Sequence, residues 1–174
     1  LGMLLMLLNH LKKADDEVRQ GIWIRAENRG YEITGKTVGI IGYGQMGSSF
    51  AKKLSGFDCS ILAYDKYKSG FSNEFVQEAS MDMIYKTCDI ISIHLPLTEE
   101  TTFFVDRHFI NSFHKKIYLL NTARGKCVKT DDLVEALESG KVKGACLDVL
   151  EYESTSFEDI KGKDVPASFK YLTS

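Results

Sequence analysis

The chain has 174 residues, 44% hydrophobic and 26% charged, which suits one domain with a real core and excludes a disordered composition. Lys and Arg number 22 against 24 Asp and Glu, and the formal charge of −2 argues against a dedicated nucleic-acid or anionic-membrane binder. The longest apolar stretch, LGMLLMLL (1–8), falls far short of the roughly 20 residues that a bilayer span needs.

That stretch lacks the basic lead and the small-residue cleavage site of a signal peptide. Residues 1–13 read instead as a buried helix closed by Asn9, His10, Lys12 and Lys13. The pattern opens in mid-helix and without Met, so the chain is expected to be a piece of a longer polypeptide. A charged stretch, 14–36, surrounds Trp23 and its Ile neighbours. It is either a surface loop with one anchoring aromatic or an arm that packs on another domain or subunit. Cys59, Cys88, Cys127 and Cys146 are far apart, with no CxxC pair or Cys/His cluster. They read as reduced core residues of a cytoplasmic protein, with neither a disulfide framework nor a metal site.

From Lys36 an alternation begins. Strand-length apolar runs occur at 37–42, 60–65, 89–95, 116–122 and 143–150, with helical patterns between them at 46–54, 81–87, 106–113 and 131–139. The last helix has Thr130 as its N-cap, acids in its first turn and Gly140 just past its end. Strands apolar on both faces and separated by helices predict an α/β fold, a doubly wound parallel sheet. Five runs are visible where a dinucleotide-binding sheet has six strands, so the sheet is expected to stop before its last strand. The expected organisation is a helix and arm over 1–35, the sheet domain over 36–153, and a polar tail over 154–174.

The first strand runs into Gly42-Tyr43-Gly44-Gln45-Met46-Gly47. In a GxGxxG loop, Gly42 allows the tight turn, Gly44 lets backbone approach a diphosphate, and Gly47 lets helix pack on strand. A helix starting at Gln45 and Met46 would offer free amides and its positive end to the phosphates. The second strand ends at Asp65, near the spacing expected for the acid that accepts the adenosine ribose hydroxyls. A carboxylate there favours NAD over NADP by repelling a 2′-phosphate, although Lys66 and Lys68 stand beside it. The competing role for Asp65 is that of a turn former. The later strand ends carry His94-Leu95-Pro96, then Asn121-Thr122-Ala123-Arg124-Gly125, then Asp148. Arg124 could grip a carboxylate bidentately and polarise an adjacent carbonyl. His94 alone is as well explained by a structural role.

GYGQMG with Asp65, HLPLTEET, NTARGKCV and GACLDVLEYE, in this order and spacing, resemble the D-isomer-specific 2-hydroxyacid dehydrogenases, of which D-3-phosphoglycerate dehydrogenase is a familiar member. The resemblance covers the chain to about Glu153 and identifies a Rossmann-type NAD-binding domain without its substrate domain. It implies NAD as cofactor, a small 2-hydroxy/2-oxo acid (3-phosphoglycerate by family frequency) as substrate, and a homodimer formed partly by the Trp23 arm. It further implies that Arg124 binds and polarises the substrate and that Asp148 holds the nicotinamide carboxamide. The backbone at Gln45, Met46, Thr122 and Ala123, with the His94-Leu95-Pro96 turn, would contact NAD. Glu153 would pair with the catalytic His and raise its pKa. Ser154 follows Glu153 where relatives often have Pro, and a solvated acidic tail is the alternative there.

The family's acid/base His belongs to a TPH-type motif that the 174 residues do not contain. His10, His94, His108 and His114 have the wrong context for that role. The expected behaviour is therefore NAD binding with negligible turnover. Two competitors stay open: a β-hydroxyacid dehydrogenase, whose GxGxMG loop GYGQMG echoes, and a non-catalytic NAD-sensing protein like the C-terminal-binding corepressors.

Overall fold

Runs such as TVGII and IYLLN are apolar at consecutive positions, which only a sheet covered on both faces can bury. In the computed structural model, which describes residues 1–152, they do so. The strands are β1 (Thr37–Ile41), β2 (Ser60–Tyr64), β3 (Gln77–Glu78), β4 (Ile90–Ile93), β5 (Ile117–Asn121) and β6 (Val142–Leu147). All pair in parallel, in the order β3-β2-β1-β4-β5-β6. Six helices, α1 (Gly2–Leu8), α2 (Leu11–Arg19), α3 (Gln45–Leu54), α4 (Met81–Thr87), α5 (Arg107–Ser112) and α6 (Thr130–Glu138), accompany them.

Alternate residues of the strands other than β3 feed two cores. Leu119 joins Ile91 and Ile93 against Ile84 of α4, Phe109 of α5 and Leu133 of α6. Tyr118 and Leu120 face the other way, onto the layer of Leu4 and Leu8 of α1 and Phe50, Ala51 and Leu54 of α3. The doubly wound α/β fold is therefore present as expected.

Three local expectations change. The sheet has six strands in its described part, because Gln77–Glu78 fills the edge beyond β2. Two residues, one exposed and one half-buried, carry no apolar run that a sequence pattern could show. The apolar opening is two helices, broken where His10 takes a left-handed φ of 50°. The second helix continues into the charged stretch, where Lys12–Asp16, Lys13–Glu17 and Arg19–Asp15 pair one turn apart. Thr130 is the first residue of α6, with Lys129 at the N-cap position. The Thr130 amide donates instead to Glu151 Oε2 at 2.7 Å, so a carboxylate beyond β6 serves that helix end.

Candidate functional site

Register brings the strand ends to one level. Ile41 of β1 stands beside Tyr64 of β2 and Ile93 of β4, Ile93 beside Asn121 of β5, and Asn121 beside Leu147 of β6. The next residue on each strand is Gly42, Asp65, His94, Thr122 or Asp148. These five therefore form a row along the carboxyl rim of the sheet, where an open parallel sheet binds its ligand.

At the centre of the row the glycine loop is tightly fitted. Gly42 has φ 93°, and a Cβ on it would stand 2.5 Å from the His94 carbonyl oxygen. A Cβ on Gly47 would press into the carbonyl oxygen of Gly42, so α3 approaches β1 as closely as backbone allows. Gly44 differs: nothing lies within 4 Å of where its Cβ would be. The first three amides of α3 have no carbonyl one turn back. Ser48 is the first to find one, Gly44 O at 3.0 Å. The N–H groups of Gln45, Met46 and Gly47 thus stand at a helix end with open space before it, which suits an anion. Met46 is 69% exposed beside them.

Asp65 is held by three backbone donors. Its Oδ2 accepts from Tyr43 N–H at 2.8 Å, and its Oδ1 from Tyr67 N–H at 2.9 Å and Lys68 N–H at 3.1 Å. It is a turn former, and its carboxylate is fixed beside the glycine loop as well. A cavity of about 420 Å³ opens between Tyr64, Asp65, Glu78, Ala79 and Ser80. The lysines next to Asp65 are both engaged. Lys66 Nζ pairs with Glu100, which also accepts from Tyr67 OH at 3.2 Å, and Lys68 Nζ donates to Tyr43 O at 3.1 Å.

His94 is half-buried, its Nε2 2.9 Å from Ser92 Oγ and its ring 5.5 Å from that of Phe50. Burial pushes its pKa down to about 4, so the imidazole is neutral near pH 7. Leu95 and Pro96 continue the turn beside it at the rim, half-buried and exposed respectively.

At the other end, buried Asn121 organises the loop that carries Arg124. Its Oδ1 accepts from Ala123 N–H at 3.1 Å, and its Nδ2 donates to Arg124 O at 2.9 Å. Arg124 itself is exposed. Its Nη1 donates to Ala123 O at 2.7 Å, and among the described residues it is in no ion pair. Gly125 packs so closely on Leu150 that a Cβ would collide with the Leu150 carbonyl. Asp148 is exposed next to this loop, its amide bonded to Asn121 O at 3.0 Å. Glu153 lies outside the described residues, as does the 154–174 tail. The sequence pattern missed the parts played by Glu100 and Glu151; both sit inside the quoted motifs HLPLTEET and GACLDVLEYE, but only the tertiary contacts reveal their partners.

A glycine loop leading into a helix N-terminus, an acid at the second strand end and a level row of strand ends on a parallel sheet define a dinucleotide-binding domain of the Rossmann type. Residues 1–166 match the family described as D-isomer specific 2-hydroxyacid dehydrogenase, NAD binding domain, and the chain belongs to it. A glyoxylate reductase of Thermofilum pendens is 38% identical over 159 residues, 87% of this chain and 47% of the relative. A hydroxypyruvate reductase of Thermotoga maritima is 35% identical, covering 91% of this chain and 51% of the relative. D-lactate dehydrogenase of Lactobacillus jensenii, solved with NAD+, superposes with a TM-score of 0.85 at 30% identity over 99% of this chain and 53% of that one. The chain thus spans about half the length of the relatives it matches. NAD is the cofactor of this domain. Family membership sets aside the β-hydroxyacid dehydrogenase alternative. No helix among the described residues is long and apolar enough to cross a membrane.

Proposed function

We propose that the protein carrying this chain is an NAD-dependent D-2-hydroxyacid dehydrogenase, and that the rim row from Asp65 to Asp148 is its cofactor crevice. The observation that carries this reading is the common level of Asp65, Gly42, His94, Thr122 and Asp148, set by strand register. The amides of Gln45, Met46 and Gly47 take the diphosphate, with Gly42 and Gly44 keeping side chains out of its way. Asp65 accepts the adenosine ribose hydroxyls. The backbone of Thr122, Ala123 and the His94-Leu95-Pro96 turn lines the middle of the crevice.

Bound NAD supplies the hydride acceptor, C4 of its nicotinamide. Asp148 would accept from the nicotinamide carboxamide N–H and so select which face of the ring meets the substrate. Arg124 binds the substrate carboxylate and draws electron density from the neighbouring carbonyl. Substrates are small 2-hydroxy/2-oxo acids; glyoxylate and hydroxypyruvate carry a carboxylate beside a carbonyl, 3-phosphoglycerate carries one beside the hydroxyl carbon that oxidation turns into a carbonyl, and Arg124 would recognise the shared carboxylate. Glu153 is the partner we assign to an acid/base His supplied by another part of the protein. His94 is unsuited to that proton transfer, being turned to Ser92 with its pKa near 4. His10 and His114 follow the ends of α1 and α5, His108 is in the first turn of α5, and none of the three is among the five strand-end residues of the row. The 174-residue chain on its own therefore binds NAD and turns over little, since acid–base help is typically worth about 10²–10⁴-fold.

Trp23, 81% exposed with Ile22 and Ile24 beside it, supports an arm that packs on a second copy in a homodimer. Four free thiols, three of them buried, support a reducing, cytoplasmic setting. The test of the cofactor assignment is calorimetric titration of NAD into the chain and into Asp65→Ala. A loss of about tenfold or more in NAD affinity on substitution supports it. Equal affinity in the two proteins defeats it.

A further inference from the structure

We propose that Glu100, on the turn after β4, is a cofactor-discriminating residue: it holds the Lys66 ammonium away from the adenosine ribose and so withholds the counter-charge that a 2′-phosphate would need. The inference rests on the placement of the adenosine at Asp65 and extends it.

An acid followed by two lysines is ambivalent toward NADP. Asp65 repels a 2′-phosphate, but an ammonium two or three bonds' reach away would offset that repulsion. The structure resolves the conflict through the lysines' partners. Lys68 Nζ is bound to the Tyr43 carbonyl oxygen at 3.1 Å, under a Tyr43 ring that stacks on Phe71 at 4.5 Å. Lys66 Nζ is paired with the Glu100 carboxylate, 34 residues away in sequence. β2 and β4, the strands that precede these two residues, flank β1, so the pair bridges the two sides of the crevice in front of the glycine loop.

Glu100 is presented by a braced turn. Thr98 N–H donates to Thr101 Oγ1 at 2.8 Å, Thr101 Oγ1 donates to Pro96 O at 2.6 Å, and Thr102 Oγ1 donates to Thr98 O at 2.7 Å. Tyr67 OH adds a second donor to the Glu100 carboxylate at 3.2 Å. Glu78, the other acid near Asp65, is taken up by the amides of Gly70 and Phe71 at 2.6 and 3.3 Å and leaves the lysines to their partners. Glu100 therefore acts against NADP through Lys66, whose charge it neutralises on a face that already carries Asp65. NAD, which has only hydroxyls at that ribose, meets no such penalty.

The experiment is calorimetric measurement of Kd for NAD and NADP in the 174-residue chain, Glu100→Gln, Lys66→Gln, and the double variant, at low and high ionic strength. Glu100→Gln should lower the ratio of the NADP Kd to the NAD Kd about threefold to fivefold at low salt, the range open to an exposed charge pair. The effect should shrink at high salt. The double variant should return the ratio to that of the parent chain, because the gain acts through Lys66. An unchanged or higher ratio in Glu100→Gln overturns the inference, as does a gain that persists without Lys66. If the parent binds NAD and Asp65→Ala abolishes its preference while Glu100→Gln does nothing, Glu100 is dismissed and the cofactor crevice stands. If the parent binds no NAD, both fall together.

Discussion

The two loop glycines Gly44 and Gly47 look equivalent in the GxGxxG string and differ physically. Gly47 has no room for a side chain, since a Cβ would press into Gly42 O. Gly44 has open space and extended backbone, φ −81° and ψ −160°, that any residue adopts. Gly47→Ala should therefore destabilise the fold by about 1–3 kcal/mol, the usual overpacking range. Gly44→Val should melt within about 2 °C of the parent, as surface changes do, yet lose NAD affinity by about tenfold or more. Thermal melts and NAD titration of both variants check this contrast. A Gly44→Val protein that binds NAD normally would remove the diphosphate from the helix end.

His94 is a second residue-scale case. Its folded pKa of about 4 lies below the ordinary imidazole value of 6.5 because burial disfavours the charged ring. The unfolded chain therefore binds the proton more readily. The associated stability is fully present above pH 6.5 and is lost as pH falls from there toward 4. The loss is on the order of 3 kcal/mol over that window. Urea unfolding at pH 7 and pH 4.5 should show this fall in the parent and a smaller one in His94→Gln. Equal falls would mean that His94 is not buried as a neutral ring.

At the scale of elements, the alternation of strands and helices was legible because burial writes it into the sequence: consecutive apolar residues for sheet interior, one apolar stripe for each covering helix. α4 is found where its pattern lies, over Met81–Thr87, with Ser80 accepting from Met83 N–H as its cap. What carried no pattern was set by tertiary contacts. β3 exists because Ala63 O accepts from Ala79 N–H and the chain pairs along β2, and its residues have no apolar signature. The start of α6 was misplaced by one residue because its first amide is served by Glu151, a residue distant in sequence. Asp132 looked like one more acid in a helix's first turn. It is buried, accepts from Arg107 N–H at 2.9 Å, and has Lys129 Nζ at 3.4 Å, joining α6 to α5. Asp132→Ala should cost about 1–3 kcal/mol in denaturant unfolding, since the α5 amide loses a charged acceptor. A cost under about 0.5 kcal/mol would show that water replaces the carboxylate there.

For the whole molecule, the candidate site was readable from the sequence to the extent that it consists of strand ends. Gly42, Asp65, His94, Thr122 and Asp148 follow five strands whose register puts them in one row. The Lys66–Glu100 bridge was not readable, because nothing in the spacing of Lys66 and a threonine-rich turn shows that they meet. A different cavity, about 520 Å³ between α1, α2 and β6, is lined by Met3, Leu7, Ala145 and Cys146 and by none of the five residues of the row. Amide-resolved NMR titration of the chain with NAD separates the two places directly. The cofactor crevice predicts that the amides of Tyr43–Gly47, Asp65–Lys68 and Thr122–Arg124 shift together and saturate with one Kd. Shifts gathered around Met3, Leu7 and Cys146, with the rim amides unmoved, would contradict it.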